Sequence, residues 1–277
     1  MSIPNGGQLT SGTVAAMRAV AEAHILPRFK KLAEGDVRSK THPGDLVTVA
    51  DVESEHALTR MLPELLPGSL VIGEEAASAD AAVLNHLAGE EPIWIIDPID
   101  GTANFVNGVA RFAVMVALVR RGETLMGWIH DPVENRTLWA EKGAGAWLAE
   151  AGAAPKRVRV PLPESPGLAG LTAGLYNRDL AALKGKFARI VRLGSAAHDY
   201  WSLTDGRMHV LGFRRLKPWD HAAGLLIHTE AGGYNRMMSG QAYSAAAQDQ
   251  IGVLCTPTED TWRAITGAAE LTEKAAP

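Results

Sequence analysis

The 277-residue chain has a single cysteine, Cys255, so no intrachain disulfide can form and a reducing cytosol is the expected compartment. It has no excess of basic residues. Against 27 Lys and Arg stand 31 Asp and Glu, a net charge of −4, which argues against a broad nucleic-acid-binding face. No stretch approaches the roughly 18 uninterrupted apolar residues that a membrane span requires; the most apolar run, Phe112 to Val119, is strand-sized. Met1 to Thr10 lacks a basic region followed by an apolar stretch, so no signal peptide is expected. Internal repeats and low-complexity tracts are missing as well. The nine histidines show no His-Glu-x-x-His spacing and are joined by no thiol cluster, which argues against zinc.

What is present describes an ordinary globular protein: 47% hydrophobic and 21% charged residues, with 28 Gly and 15 Pro. A chain of this length buries about three quarters of the surface it exposes when unfolded, so it needs no covalent staple. Val14, Met17, Ala21, Ile25 and Phe29 form a helical stripe that Pro27 should kink or interrupt, and a second helix is expected from Asp51 to Leu62. Leu70 to Ile72 and Ile93 to Ile96 read as short apolar strands, each running into acidic residues. Arg111 to Arg120, Thr124 to His130, Leu138 to Ala140 and Ala146 to Leu148 read as a meander. The Gly/Ala/Pro-rich stretch from Glu150 to Gly167 separates an N-terminal half, 1–155, from a C-terminal half, 156–277. In the second half, Ile251 to Cys255 reads as a buried strand with Cys255 a core thiol, and His221 to Ala231 as a helix closed by Gly232-Gly233. The fold class is mixed α and β.

The chemistry concentrates in Trp94-Ile95-Ile96-Asp97-Pro98-Ile99-Asp100-Gly101-Thr102. Pro98 disfavours helical geometry at Asp97, so that carboxylate should emerge at the strand's end, while Asp100-Gly101 turns the chain back. Two carboxylates and the Ile99 carbonyl can then converge into the all-oxygen environment that Mg²⁺ prefers. The same residues also suit a plain turn and cap. Gly73-Glu74-Glu75 follows another apolar strand, and Asp220 and Asp51 both read as N-caps of helices.

Taken together, Gly73-Glu74-Glu75, Asp97-Pro98-Ile99-Asp100-Gly101-Thr102 and Pro218-Trp219-Asp220-His221-Ala222-Ala223-Gly224 resemble the inositol monophosphatase family of metal-dependent sugar phosphatases. Lys40, Asp45-Leu46-Val47-Thr48-Val49-Ala50-Asp51, Gly194-Ser195-Ala196-Ala197 and Gly206-Arg207 fit its flanking motifs in order.

The resemblance implies a layered α-β-α-β-α sandwich, commonly a homodimer, acting on a small phosphorylated substrate. Glu74, Asp97 and the Ile99 carbonyl would hold one Mg²⁺, and Asp97, Asp100 and Asp220 a second, with a looser third ion near Glu74. A metal-bound water would attack the phosphate in line, positioned or deprotonated by Glu74 and by Thr102 oriented by Asp51. Gly101 and Thr102 would open a helix whose amides face the phosphate. Asp100, Gly194, Ser195, Ala196, Asp220 and Arg192 would line the substrate.

Counting back from Asp220, the position at which animal members carry a sugar-binding glutamate is Phe213, which argues against inositol 1-phosphate as the preferred substrate. Arg214, Arg215 and Lys217 would either meet a second anionic group or be solvated loop charges. Histidinol phosphate, fructose 1,6-bisphosphate and adenosine 3',5'-bisphosphate are the alternative substrates. A role as a binding partner of the transcription machinery is the alternative of another class.

Overall fold

Apolar side chains spaced three and four apart from Leu9 to Val20 build helix α1 (Gly6–Val20), and a single π-turn, Ala21–Ile25, carries it to the edge of Pro27. The computed structural model describes residues 6–40, 46–163, 167–247 and 252–269; Asp45 and Ile251, read above as motif and strand positions, lie outside them. A short antiparallel pair, β1 (Val37–Ser39) and β2 (Leu46–Thr48), leads into α2 (Val49–Leu65). Asp51 is not the N-cap of that helix. Thr48 caps it, accepting from the Ala50 and Asp51 amides, while the Asp51 carboxylate returns to the Thr48 N–H from the third helical position. This reciprocal box satisfies both ends of the exchange, which a cap at Asp51 would not.

The first sheet has seven strands in the order β3 (Leu70–Gly73), β4 (Ile93–Asp100), β5 (Ala113–Arg120), β6 (Glu123–Asp131), β7 (Arg136–Glu141), β8 (Gly145–Glu150) and β9 (Lys156–Val158). Only β3 and β4 run parallel; the rest is an antiparallel meander. Helices α3 (Glu74–Ala79) and α4 (Thr102–Val106) leave the C-terminal ends of β3 and β4. Strand β4 does not stop at Ile96. It continues through Asp97-Pro98-Ile99-Asp100, with a register shift against β5 between Asp97 and Asp100. A bulge accommodates Pro98, which has no N–H to give the ladder.

The second sheet has the order β11 (Arg189–Ile190), β10 (Thr172–Leu175), β12 (Val210–Phe213), β14 (Val253–Thr256), β13 (Tyr234–Met237). Helices α5 (Ala196–Thr204) and α6 (Pro218–Glu230) lie between the sheets, and α7 (Glu259–Ala268) covers the far side of the second.

Both faces of β4 and β5 are covered, which is why they read as unbroken apolar runs. Trp94, Ile96, Val114, Val116 and Leu118 face α1 and α2, while Ile93, Ile95, Met115 and Val119 join the core around α5 and α6. A third core, with Leu175, Val210, Leu254, Trp262 and Ile265, fills the space under α7. The result is the α-β-α-β-α layering. Small residues let α6 approach the first sheet closely: a Cβ on Gly127 of β6 would stand 2.7 Å from Ala223 Cα. Cys255 is fully buried in β14, and burial pushes its thiol pKa up. No described helix is long and apolar enough to cross a membrane.

Candidate metal and phosphate site

Three carboxylates from two elements meet at the C-terminal end of β4. One oxygen each from Asp97, Asp100 and Asp220 lies within 4.8 Å of the other two. Asp220 is placed by α6, whose N-cap is Lys217 and whose first residue is Pro218; Asp220 thus stands inside the first turn rather than capping it, as the sequence suggested. Proline at the first helical position costs no hydrogen bond there.

Each carboxylate is held differently. Asp97 Oδ1 accepts from Ile99 N at 3.1 Å within the bulge. Asp100 accepts three hydrogen bonds from the start of α5: Ala196 N at 3.0 Å on Oδ1, and Ala197 N at 2.9 Å and the Ser195 hydroxyl on Oδ2. Burial raises the pKa of all three, and for Asp97 and Asp220 the neighbouring carboxylates, Glu74 foremost, raise it further. The donors from Ser195, Ala196 and Ala197 pull Asp100 the other way. Crowded buried acids of one sign are unstable as ions without added positive charge.

Glu74, the first residue of α3, is delivered next to β4 by the parallel β3–β4 pairing. It is not one of the three convergent acids. Its Oε1 lies 2.7 Å from Lys40 Nζ, which also sits 2.7 Å from Glu75 Oε1. Burial is the main reason that Glu75 rises to about 7, against the pull of Lys40. Behind α3, Glu55 accepts from the Glu75 and Ala76 amides at 2.8 and 2.9 Å and so closes the helix's first turn.

Asp51 reaches the same region from α2. The Thr102 hydroxyl stands 3.2 Å from Asp51 Oδ1 and 2.9 Å from the Ile99 carbonyl. Burial lifts the Asp51 pKa to about 6, opposed by the Thr48 and Thr102 hydrogen bonds. Gly101 adopts φ +87°, and a Cβ there would press on Arg111 O at 2.9 Å and Ser195 Cβ at 3.0 Å, so glycine is required both by conformation and by space.

Asn104 clamps α4 to the segment before α5, its Nδ2 donating to Leu193 O, Gly194 O and Arg111 O. No sequence pattern distinguishes this asparagine, and the readings above missed it. Lys40 was visible only as part of a motif, not as the partner of Glu74.

Other expected substrate positions are placed less directly. The Ala196 and Ala197 amides are engaged by Asp100; the first-turn amides of α4, as at any helix N-terminus, have no intrahelical acceptor. Arg192 lies over the Tyr176 ring at 5.7 Å, with Nη2 3.4 Å from Leu175 O. Phe213 stacks on Tyr176 at 5.0 Å and stands 4.6 Å from the His221 ring.

Two sheets enclose a helical layer, and acids from β4 and α6 meet beside a short helix; taken with the family match, this makes the chain a hydrolase of phosphate monoesters. Residues 8–275 match the model of the inositol monophosphatase family, and the chain belongs to that metal-dependent family.

Among its relatives is the inositol-1-monophosphatase of Caulobacter vibrioides, 34% identical over 206 residues, which span 70% of this chain and 77% of that one. The fructose-1,6-bisphosphatase/inositol-1-monophosphatase of Thermotoga maritima is 33% identical over 220 residues, 78% and 80% of the two chains. Nus factor SuhB of Vibrio cholerae is 35% identical over 231 residues, 78% and 81%. A solved inositol monophosphatase of Thermotoga maritima superposes with a TM-score of 0.76 at 28% identity, covering 96% of this chain and 99% of that one.

Proposed function

We propose that this protein is a Mg²⁺-dependent phosphomonoesterase acting on a small phosphorylated polyol or sugar. One observation carries the reading: the approach of Asp97, Asp100 and Asp220 to within 4.8 Å of one another. Their donor set is entirely oxygen and suits a hard divalent cation, and their raised pKa values mark a region deficient in positive charge. Asp97, Asp100 and Asp220 would hold one ion, and Glu74, Asp97 and the Ile99 carbonyl another, with a third near Glu74. Bound cations supply Lewis-acid charge for the phosphate and leaving oxygens and make water more acidic.

The chain's own residues do the rest. The Thr102 hydroxyl, hydrogen-bonded toward Asp51, orients the attacking water and passes its proton to the carboxylate. An Asp51 pKa of about 6 leaves the group ionised at neutral pH, yet close enough to it to act as a base. Glu74 shares this positioning role. The first-turn amides of α4, beginning at Thr102 after Gly101, receive the phosphate as helix N-termini do. Gly194, Ser195 and Arg192 border the leaving group.

The test is Asp97→Asn, which should abolish Mg²⁺-dependent phosphate release while the melting temperature without metal holds or rises. A variant that hydrolyses normally would overturn the reading. Release of phosphate from inositol 1-phosphate, fructose 1,6-bisphosphate, histidinol phosphate and adenosine 3',5'-bisphosphate ranks the substrates.

The likeness to a Nus factor supports a second reading, association with the transcription machinery. Complementation by Asp97→Asn of a cell lacking its own copy would favour that role. Sedimentation tests the homodimer that the family resemblance implies.

A further inference from the structure

From Asp100 a chain of buried polar groups crosses from the start of α5 to the end of β6. Ser195 Oγ hydrogen-bonds Asp100 Oδ2 and stands 3.1 Å from His198 Nδ1, one turn further along α5. The other ring nitrogen, His198 Nε2, lies 3.7 Å from Asp131 Oδ2, an ion-pair separation. Ser195, His198 and Asp131 are 4%, 6% and 2% exposed, so these polar groups are shielded from water.

Donor accounting gives the chain a direction. Ser195 has one hydroxyl proton, and an ionised Asp100 can only accept, so that proton goes to Asp100 Oδ2. Ser195 Oγ must then accept from a proton on His198 Nδ1, and Asp131 Oδ2, an acceptor only, pairs with a proton on Nε2, so this network assigns a proton to each ring nitrogen. The backbone N–H of His198 also donates to Ser195 Oγ, at 3.2 Å.

Asp131 has two tasks. Its Oδ1 takes the Val133 and Glu134 amides at 3.0 and 3.1 Å and shapes the β6–β7 turn, while Oδ2 faces His198 and, at 3.5 Å, Arg136 Nη2. The turn explains Oδ1 but not the histidine. The set shares its residue types with a nucleophilic triad, yet the ring donates to the serine rather than receiving its proton, so Ser195 is not a nucleophile.

The geometry points to His198 and Asp131 as positioning residues of the metal site: Asp131 orients His198, His198 fixes the rotor of Ser195, and Ser195 holds the Asp100 carboxylate for its cation. This inference rests on the reading of Asp100 as a metal ligand. Carboxylate ligands are commonly held by such outer hydrogen bonds, whose loss weakens metal binding by 10- to 100-fold.

The experiment measures Mg²⁺ affinity by calorimetry on the substrate-free protein, with kcat and KM for phosphate release and the metal-free melting temperature alongside. His198→Leu should weaken Mg²⁺ binding about 10- to 100-fold and lower kcat more than it raises KM. His198→Asn, whose side-chain amide can replace the Nδ1 donor, should recover most of both. His198→Gln, which reaches toward Asp131 instead, should not. Asp131→Asn should weaken binding by a smaller factor.

Should His198→Leu fail to fold, the Asn and Gln pair decides alone. Equal Mg²⁺ affinity in those two, or wild-type affinity in His198→Leu, overturns the relay and leaves the Asp100 reading intact. A wild-type protein that binds no Mg²⁺ in the millimolar range overturns both.

Discussion

The Thr102 hydroxyl and the Asp51 carboxylate lie 3.2 Å apart although 51 positions separate them in the chain. The contact joins the first turn of α2 to that of α4, and the Ile99 carbonyl fixes the hydroxyl from a third side. If Thr102 relays a proton, Thr102→Val should reduce kcat by about 10²- to 10³-fold, within the usual range for general acid–base groups. KM and Mg²⁺ affinity should stay within a few-fold. Steady-state phosphate release with a metal titration separates these quantities, and an unchanged kcat would remove Thr102 from the chemistry.

Lys40 supplies positive charge to Glu74 and Glu75 before any metal arrives. In metal-free protein, Lys40→Met should cost about 2 kcal/mol, as for a charged hydrogen bond lost in a partly buried place. Saturating Mg²⁺ should reduce that cost, because the cation relieves the same repulsion. Urea unfolding with and without Mg²⁺ gives both values; an equal cost under the two conditions would count against overlap of their roles.

The raised carboxylates set a pH dependence. Asp51 titrates at about 6, Glu75 at about 7 and Asp199 at about 8, all held up chiefly by burial. The folded chain therefore keeps protons that the unfolded chain has lost above about pH 4. Their contribution to stability is complete below that point and is lost as pH rises through 6 to 8. The proposed ligands Asp97, Asp100 and Asp220 are raised as well, and cations bind their ionised forms, so the rise in melting temperature produced by Mg²⁺ should grow from pH 5 to pH 8. In metal-free protein Asp199→Asn should flatten the alkaline decline. Scanning calorimetry across that range checks both; a Mg²⁺ effect that shrinks with pH would contradict the assignment.

Gly224 of α6 lies against a fully buried ring. A Cβ at this position would stand 2.1 Å from Tyr200 Cδ2, and Tyr200 cannot swing away without losing its 3.1 Å contact with His221 Nδ1. Gly224→Ala should cost about 3 kcal/mol through overpacking, a fall in melting temperature of roughly 6–12 °C.

The fold was legible where periodicity was strong. The apolar runs of β4 and β5, the strands of the meander that follows, and helices α2 and α6 announced their elements to within a few residues, since local pattern and burial agree there, whereas the stripe from Val14 missed the first two turns of α1. The convergence of Asp97, Asp100 and Asp220 was legible because motif-bearing segments place acids at the ends of strands and helices, whereas Glu74 pairs with Lys40 beside them. Tertiary choices stayed hidden: Thr48 rather than Asp51 caps α2, Lys40 crosses to Glu74, Asn104 ties α4 to Gly194, and His198 meets Asp131. Each is a contact between single side chains that leaves no periodic trace.

Helix α6 packs on five strands of the first sheet and on β13 of the second, and it carries Asp220 to the acids of β4. It works as an axle between the two sheets. If Asp220 shares an ion with Asp97 and Asp100, as proposed, loosening the C-terminal sheet should discharge that ion before any residue touching it has been altered.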